Sequence, residues 1–135
     1  MSTLKVNTIQ NTSAAHSSTP QQIEQGRAKI WVSFDGYDTS STLDDWNCTS
    51  VTDNDTGDYT LNFGITMANT HYSVAGMSEN WEGSPKTDSY TVISEYYQVR
   101  TTTTFRFICL RLRYDMQSPQ FKDSKHIGLV VFGDV

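Results

Sequence analysis

Residues Asp45 to Phe63 limit the possible folds of this chain more than any other stretch. On the first arm Asn47, Thr49 and Val51 alternate with Trp46, Cys48 and Ser50; on the second Tyr59, Leu61 and Phe63 alternate with Thr60 and Asn62. A period of two carried by β-branched and aromatic residues belongs to a half-buried strand. Between the arms, Asp53-Asn54-Asp55-Thr56-Gly57-Asp58 supplies turn chemistry. Its short side chains hydrogen-bond their own backbone, and its Gly accepts positive φ. The stretch is read as a β-hairpin.

The same period recurs along the chain. Lys29 to Phe34 sets Ile30, Val32 and Phe34 against Lys29, Trp31 and Ser33, and stops at Asp35-Gly36. Further strands are expected at His71 to Met77, Tyr90 to Glu95, Gln98 to Thr103, Phe105 to Tyr114 and Ile127 to Phe132. Tyr37 to Asp44 reads as polar loop. Ser and Thr make up roughly a quarter of the residues, a bias toward strand over helix. The expected class is all-β, an antiparallel β-sandwich of about eight strands with almost no helix.

Ahead of that head lies a different pattern. Ser2 to Gln10 alternates Leu4, Val6 and Thr8 against Lys5, Asn7 and Ile9, which suits an extended arm that adds to another protein's sheet edge. A frayed terminus is the plainer alternative. Residues 12–25 are rich in Ser, Thr, Ala and Gln and show no period. The organisation expected is an arm over 1–11 with Leu4, Val6 and Ile9 as its docking residues, a linker over 12–25, and a head over 26–135.

A formal net charge of -5 argues against nucleic acid as a partner, because phosphate binding draws on clustered Lys and Arg. No apolar run is long enough to span a bilayer as a helix, and the first residues lack the pattern of a secretion signal, so a protein made in the cytoplasm without membrane insertion is expected. Cys48 and Cys109, each inside a strand pattern, are read as small buried hydrophobes.

Catalytic and metal patterns fit poorly. Asp53 to Asp58 begins like a calcium loop, but Gly57 falls at the fifth place, where a ligand is needed, and Gly64 at the twelfth, where a bidentate Glu belongs. His16, His71 and His126 lie far apart, without zinc spacing. Asp44-Asp45, or Glu79 with Glu82, are carboxylate pairs that arise readily by chance on an acidic chain. No nucleophile elbow, phosphate loop or dinucleotide fingerprint occurs. No enzyme, cofactor or metal is expected.

Recognition is instead expected on two long loops, Ser78 to Ser89 and Asp115 to His126. Trp81 is the principal candidate contact, with Glu79, Glu82, Lys86 and Asp88 as polar partners and Tyr37 and Phe121 as secondary contacts. A flat indole stacks on a sugar ring or fills a protein pocket at little entropic cost. Packing beneath its own loop is the alternative. In Phe105 to Tyr114, Arg111 and Arg113 share the face of Phe105, Phe107 and Cys109, so that face passes from apolar to basic, while Arg106 lies opposite. Such a face is half solvated in a monomer, or pairs with a neighbour's carboxylates in an oligomer.

Gly26-Arg27-Ala28-Lys29-Ile30-Trp31-Val32-Ser33-Phe34-Asp35-Gly36, then Val51-Thr52-Asp53-Asn54 with Thr56-Gly57-Asp58-Tyr59-Thr60-Leu61-Asn62-Phe63, then Met67 and His71-Tyr72-Ser73-Val74-Ala75-Gly76 stand in this order. Together they resemble the C-terminal module of tailed-bacteriophage tail fibre and related virion surface proteins. Leu4 to Ser13 resembles a segment that precedes the module in marine phage proteins, and Val130-Val131-Phe132-Gly133-Asp134 resembles its ending. The resemblance implies a homotrimer on the outer surface of a virion, with Arg106, Arg111 and Arg113 at the trimer interface. It further implies that the arm docks on another phage structural protein and that the head binds a host-surface glycan or protein. A short arm without a coiled shaft also suits a capsid decoration protein with a structural or weakly adhesive role.

Overall fold

The computed structural model describes residues 2–10, 12–13, 17–38, 42–79, 89–113 and 118–135. Among the described residues the chain is mostly β, with antiparallel pairing throughout and one short helix. Two sheets form the head. One joins β3 (Ile30–Phe34), β4 (Thr42–Trp46), β7 (Ser73–Ser78) and β11 (Ile127–Phe132) in the order β4-β3-β11-β7. The other contains β5 (Cys48–Asp55), β6 (Asp58–Phe63), β8 (Ser89–Arg100), β9 (Thr104–Arg113) and β10 (Gln120–Phe121). Here β9 is central. β8 runs along one of its edges, while β6 and then β10 follow one another along the other.

Alternation decides which side chains meet. Ile30, Val32 and Phe34 of β3 and Ile127, Leu129 and Val131 of β11 are buried, as are Tyr59, Leu61 and Phe63 of β6 and Phe105, Phe107 and Cys109 of β9. All belong to one apolar cluster shared by the two sheets. Phe34 packs edge-on against Tyr59, with ring centroids 5.3 Å apart, and against Phe107 at 6.3 Å. Burying each such side chain contributes about 1.5–3 kcal/mol. Met67 and Tyr72 close the core from the segment before β7.

The hairpin is observed, but its turn is tighter than the sequence suggested. β5 continues to Asp55, which pairs with Asp58, and only Thr56 and Gly57 remain between them. Gly57 takes a φ of 65°, and a Cβ there would lie 2.5 Å from the Lys122 nitrogen, so both conformation and close approach require glycine.

Four stretches depart from the expectations, one of them the loop expected at Asp115 to His126, in which Gln120–Phe121 form β10 against β9. β4 occupies part of the stretch read as loop; it pairs with β3 as an edge strand, where Asp44 and Asp45 both reach water and so break the alternation. Tyr90 to Thr103 is not two strands. β8 runs unbroken to Arg100, with a register break after Glu95 and Tyr97 at a φ of 34°. The Thr101-Thr102-Thr103 run that reads as strand is a turn, because the Thr101 hydroxyl accepts the backbone N–H groups of Thr103 and Thr104 at 3.1 and 2.8 Å.

The stretch read as linker holds β2 (Ser17–Ser18), which pairs with β1 (Ile9–Gln10), and helix α1 (Pro20–Gly26). Thr19 and Gln22 form a reciprocal capping box, the Thr19 hydroxyl accepting the Gln22 backbone N–H and the Gln22 side-chain Oε1 accepting the Thr19 backbone N–H, with Pro20 in the first turn. Buried Lys29 then ties α1 to β3 by an ion pair with Glu24.

Candidate functional site

The outward face of the β4-β3-β11-β7 sheet carries apolar residues that the core does not use. Because Ile30, Val32 and Phe34 face inward, Trp31 and Ser33 face out; because Ile127, Leu129 and Val131 face inward, Gly128 and Val130 face out. The register sets Trp46, Trp31, Val130 and Ala75 in one row across all four strands, and Asp44, Ser33, Gly128 and Met77 in the next. Trp46 is 58% exposed and Met77 76%. Between the Trp31 and Met77 side chains lies an open groove of about 440 Å³, floored by Gly128, where a Cβ would meet nothing within 4 Å. A contiguous apolar patch of this kind marks an interaction surface, whereas single exposed apolar residues do not.

A second apolar cluster lies in the N-terminal segment. Leu4, Val6 and Ile9 are exposed and come together with Pro20 and Ile23 around a groove of about 450 Å³. The three arm residues singled out from sequence therefore share one surface with the helix, whose Ile23 the sequence reading missed. Its signal was the Thr19-Pro20-Gln21-Gln22 start. Among the described residues β1 and β2 pair only with each other and join neither head sheet.

Trp81, Glu82, Lys86 and Asp88 lie outside the described residues. Glu79 lies at the start of their loop and holds His126, its Oε2 2.6 Å from His126 Nδ1. Tyr37 is exposed, with the Lys122 ammonium 5.7 Å from its ring centre. Phe121, on β10 and paired with Leu110, is 51% exposed. Tyr37 thus lies beside Lys122, the residue that follows Phe121 in the chain, whereas nothing described brings Glu79 to them.

The arginines divide differently from the sequence pattern. Arg106 takes its carboxylate from its own chain: Nε and Nη2 donate to Asp58 at 2.9 and 2.6 Å, and the guanidinium stacks on Tyr96 at 4.3 Å. These bonds hold the Asp58 carboxyl below its ordinary value. Arg111 is buried on the core side of β9, opposite Thr91 and Gln120. Arg113 pairs with Ser89 in the backbone register, and its side chain lies outside the described residues.

Chemistry of other kinds finds little purchase among the described residues. Cys48 and Cys109 are free thiols, pushed by burial up to about 11 and about 12, which removes the thiolate needed for reactivity. No group of three or more His, Cys, Asp and Glu is arranged to hold a metal ion among the described residues. No described helix is long and apolar enough to cross a membrane. No family model, curated protein or solved structure matches this chain.

Proposed function

We propose that this chain is a virion surface protein of the fibre or knob type, made in the host cytoplasm and carrying out no catalytic step. Its head is a β-sandwich that assembles as a homotrimer. Its N-terminal arm docks on another phage structural protein, and the head contacts a glycan or protein of the host surface.

The observation that carries this reading is the division of exposed apolar surface between two patches. Leu4, Val6, Ile9 and Ile23 form one patch on the N-terminal segment and α1, where β1 and β2 pair only with each other among the described residues. Trp31, Trp46, Val130 and Met77 form another on a head with its own core. Two patches in different parts of the chain, the first joined to the head through the Lys29–Glu24 ion pair, suit two sets of contacts, one to the particle and one between heads. The order of sequence motifs and the two-sheet core support the same reading. The Trp31–Trp46 face is assigned to the contact between copies, which leaves the β8-β9-β6-β5 side of each head toward the host.

Imaging of particles with antibody to the head tests the location directly. Label on the tail supports the fibre reading, label on the capsid supports the decoration role, and unlabelled particles remove the virion assignment. A chain lacking residues 1–11 is expected to remain folded and to be lost from particles. Retention at normal copy number overturns docking through the arm.

A further inference from the structure

We infer that the cleft between the β5–β6 turn and β10 binds a neutral sugar ring. This deepens the proposed host-surface contact and rests on that reading for its biological setting, though not for its chemistry. The cleft has a volume of about 350 Å³ and is lined by Asp55, Thr56, Asp58, Tyr96 and Phe121. That size lies at the lower end of small-molecule sites, about 300–1,000 Å³.

The lining matches the two-sided chemistry of a saccharide. A pyranose presents C–H groups on its faces and hydroxyls around its rim, so it needs an aromatic surface beside hydrogen-bond acceptors. Phe121 is an aromatic ring left half in water on a two-residue strand, and Tyr96 lines the same cleft. Carboxylates and a hydroxyl come from the turn: Asp55, whose Oδ1 accepts the Thr56 N–H at 2.7 Å, then Thr56 itself, then Asp58.

Arg106 builds the site without entering it as a free charge. It donates twice to Asp58 and lies against the Tyr96 ring, so one guanidinium fixes both an acceptor and an aromatic wall. Asn54 Nδ2 adds a third donor to Asp58 Oδ1 at 3.2 Å, and Oδ2, with one bond from Arg106, keeps acceptor capacity for a sugar hydroxyl. Since Asp58 already neutralises Arg106, the remaining charge of the lining is that of Asp55. An acidic sugar is disfavoured and a neutral one is not.

The backbone beside Tyr96 is strained in a way that suits this arrangement. Tyr97 holds a φ of 34°, a region bulky side chains rarely adopt, where the β8 register breaks between Glu95 and Arg100. A bulge there re-aims its neighbours, and the neighbour is the tyrosine that meets Arg106.

Amide chemical-shift titrations of the full chain with methyl glucoside, methyl galactoside, N-acetylglucosamine and N-acetylneuraminate test the inference. Saturable shifts confined to Asp55, Thr56, Asp58, Tyr96 and Phe121 are expected with at least one neutral sugar, and none with the acidic one. Phe121→Ala should weaken that binding about tenfold with no change in melting temperature, as loss of one stacking contact implies. Absence of saturable shifts from all three neutral sugars, or binding untouched by Phe121→Ala and D55N alike, overturns it. Saturable binding by a protein that particle imaging fails to find on virions keeps the cleft and removes the virion reading. Labelled particles without sugar binding do the reverse.

Discussion

The Tyr59 hydroxyl lies 2.7 Å from Asp123 Oδ1, and the same carboxylate oxygen accepts the Gly57 N–H at 2.6 Å. Tyr59 is fully buried, and its oxygen is also 2.9 Å from the Gly36 carbonyl. One polar node at the edge of an aromatic core therefore joins the hairpin turn, the end of β3 and the segment leading into β11. These are far apart in the chain, and the node fixes how one sheet lies over the other.

Tyr59→Phe keeps the ring in its packing against Phe34 and Phe107 and removes only the hydroxyl. A loss of about 1–2 kcal/mol is expected in urea unfolding, with an unchanged fold, because Asp123 keeps its bond from Gly57. A loss below about 0.3 kcal/mol would remove the node from the list of stabilising contacts.

Two glycines should respond in opposite ways. Gly57→Ala forces a side chain into a φ of 65° and against the Lys122 nitrogen and Cys109 carbonyl, at a cost of about 2 kcal/mol or more. Gly26→Ala meets open space at the C-terminal end of α1 and should be neutral or stabilising by up to about 1 kcal/mol. Thermal unfolding of the pair checks both signs.

Trp46→Ala addresses assembly. The side chain is largely exposed on an edge strand, so the fold of a single head should survive its loss, while sedimentation should shift from trimer toward monomer and the melting temperature should fall with the lost assembly. Gly128→Leu, which fills the groove between Trp31 and Met77, should act in the same direction. A wild-type chain that sediments as a monomer at micromolar concentration ends the trimer proposal, and a trimer unaffected by both substitutions moves its interface to another face.

Stability should fall at both ends of the pH scale for separate reasons. Burial raises Tyr72 to about 12 and Cys109 to about 12, and Tyr59 further still. Each holds its proton more tightly folded than unfolded. Their contribution is whole below the ordinary values of 9.0 for Cys and 10.0 for Tyr and is lost as pH rises through the folded values. At the acid end Asp58 is depressed by its bonds from Arg106. Its contribution is present above the ordinary 3.8 and disappears as pH falls through the lower folded value. Denaturation followed against pH should show both limbs, and D58N should flatten only the acid one.

Strand β11 was legible to the residue, because Ile127, Leu129 and Val131 alternate without interruption and both of its neighbours lie in the same sheet. β3 and the hairpin were legible for the same reason, whereas α1 was missed: Thr19-Pro20-Gln21-Gln22 carries a helix start inside a stretch whose composition reads as linker. Strand β4 was not legible, since an edge strand with water on both sides needs no alternation and takes its conformation from a partner. The Thr101 to Thr103 turn was hidden because β-branched residues favour strand until a hydroxyl captures the backbone N–H groups.

The candidate site divides in the same way. That Trp31 points away from Ile30 and Val32 follows from the period of two. That it stands beside Trp46 and Val130 follows only from pairing across sheet neighbours, one of them about a hundred residues away in the chain. Phe121, Tyr96 and Asp58 likewise meet because β9 holds β8 on one edge and β6 and β10 on the other. Local order in a chain of this kind is written in side-chain alternation, which encodes burial on one face. The choice of neighbours belongs to long-range hydrogen bonding and core packing, whose energies no single segment contains.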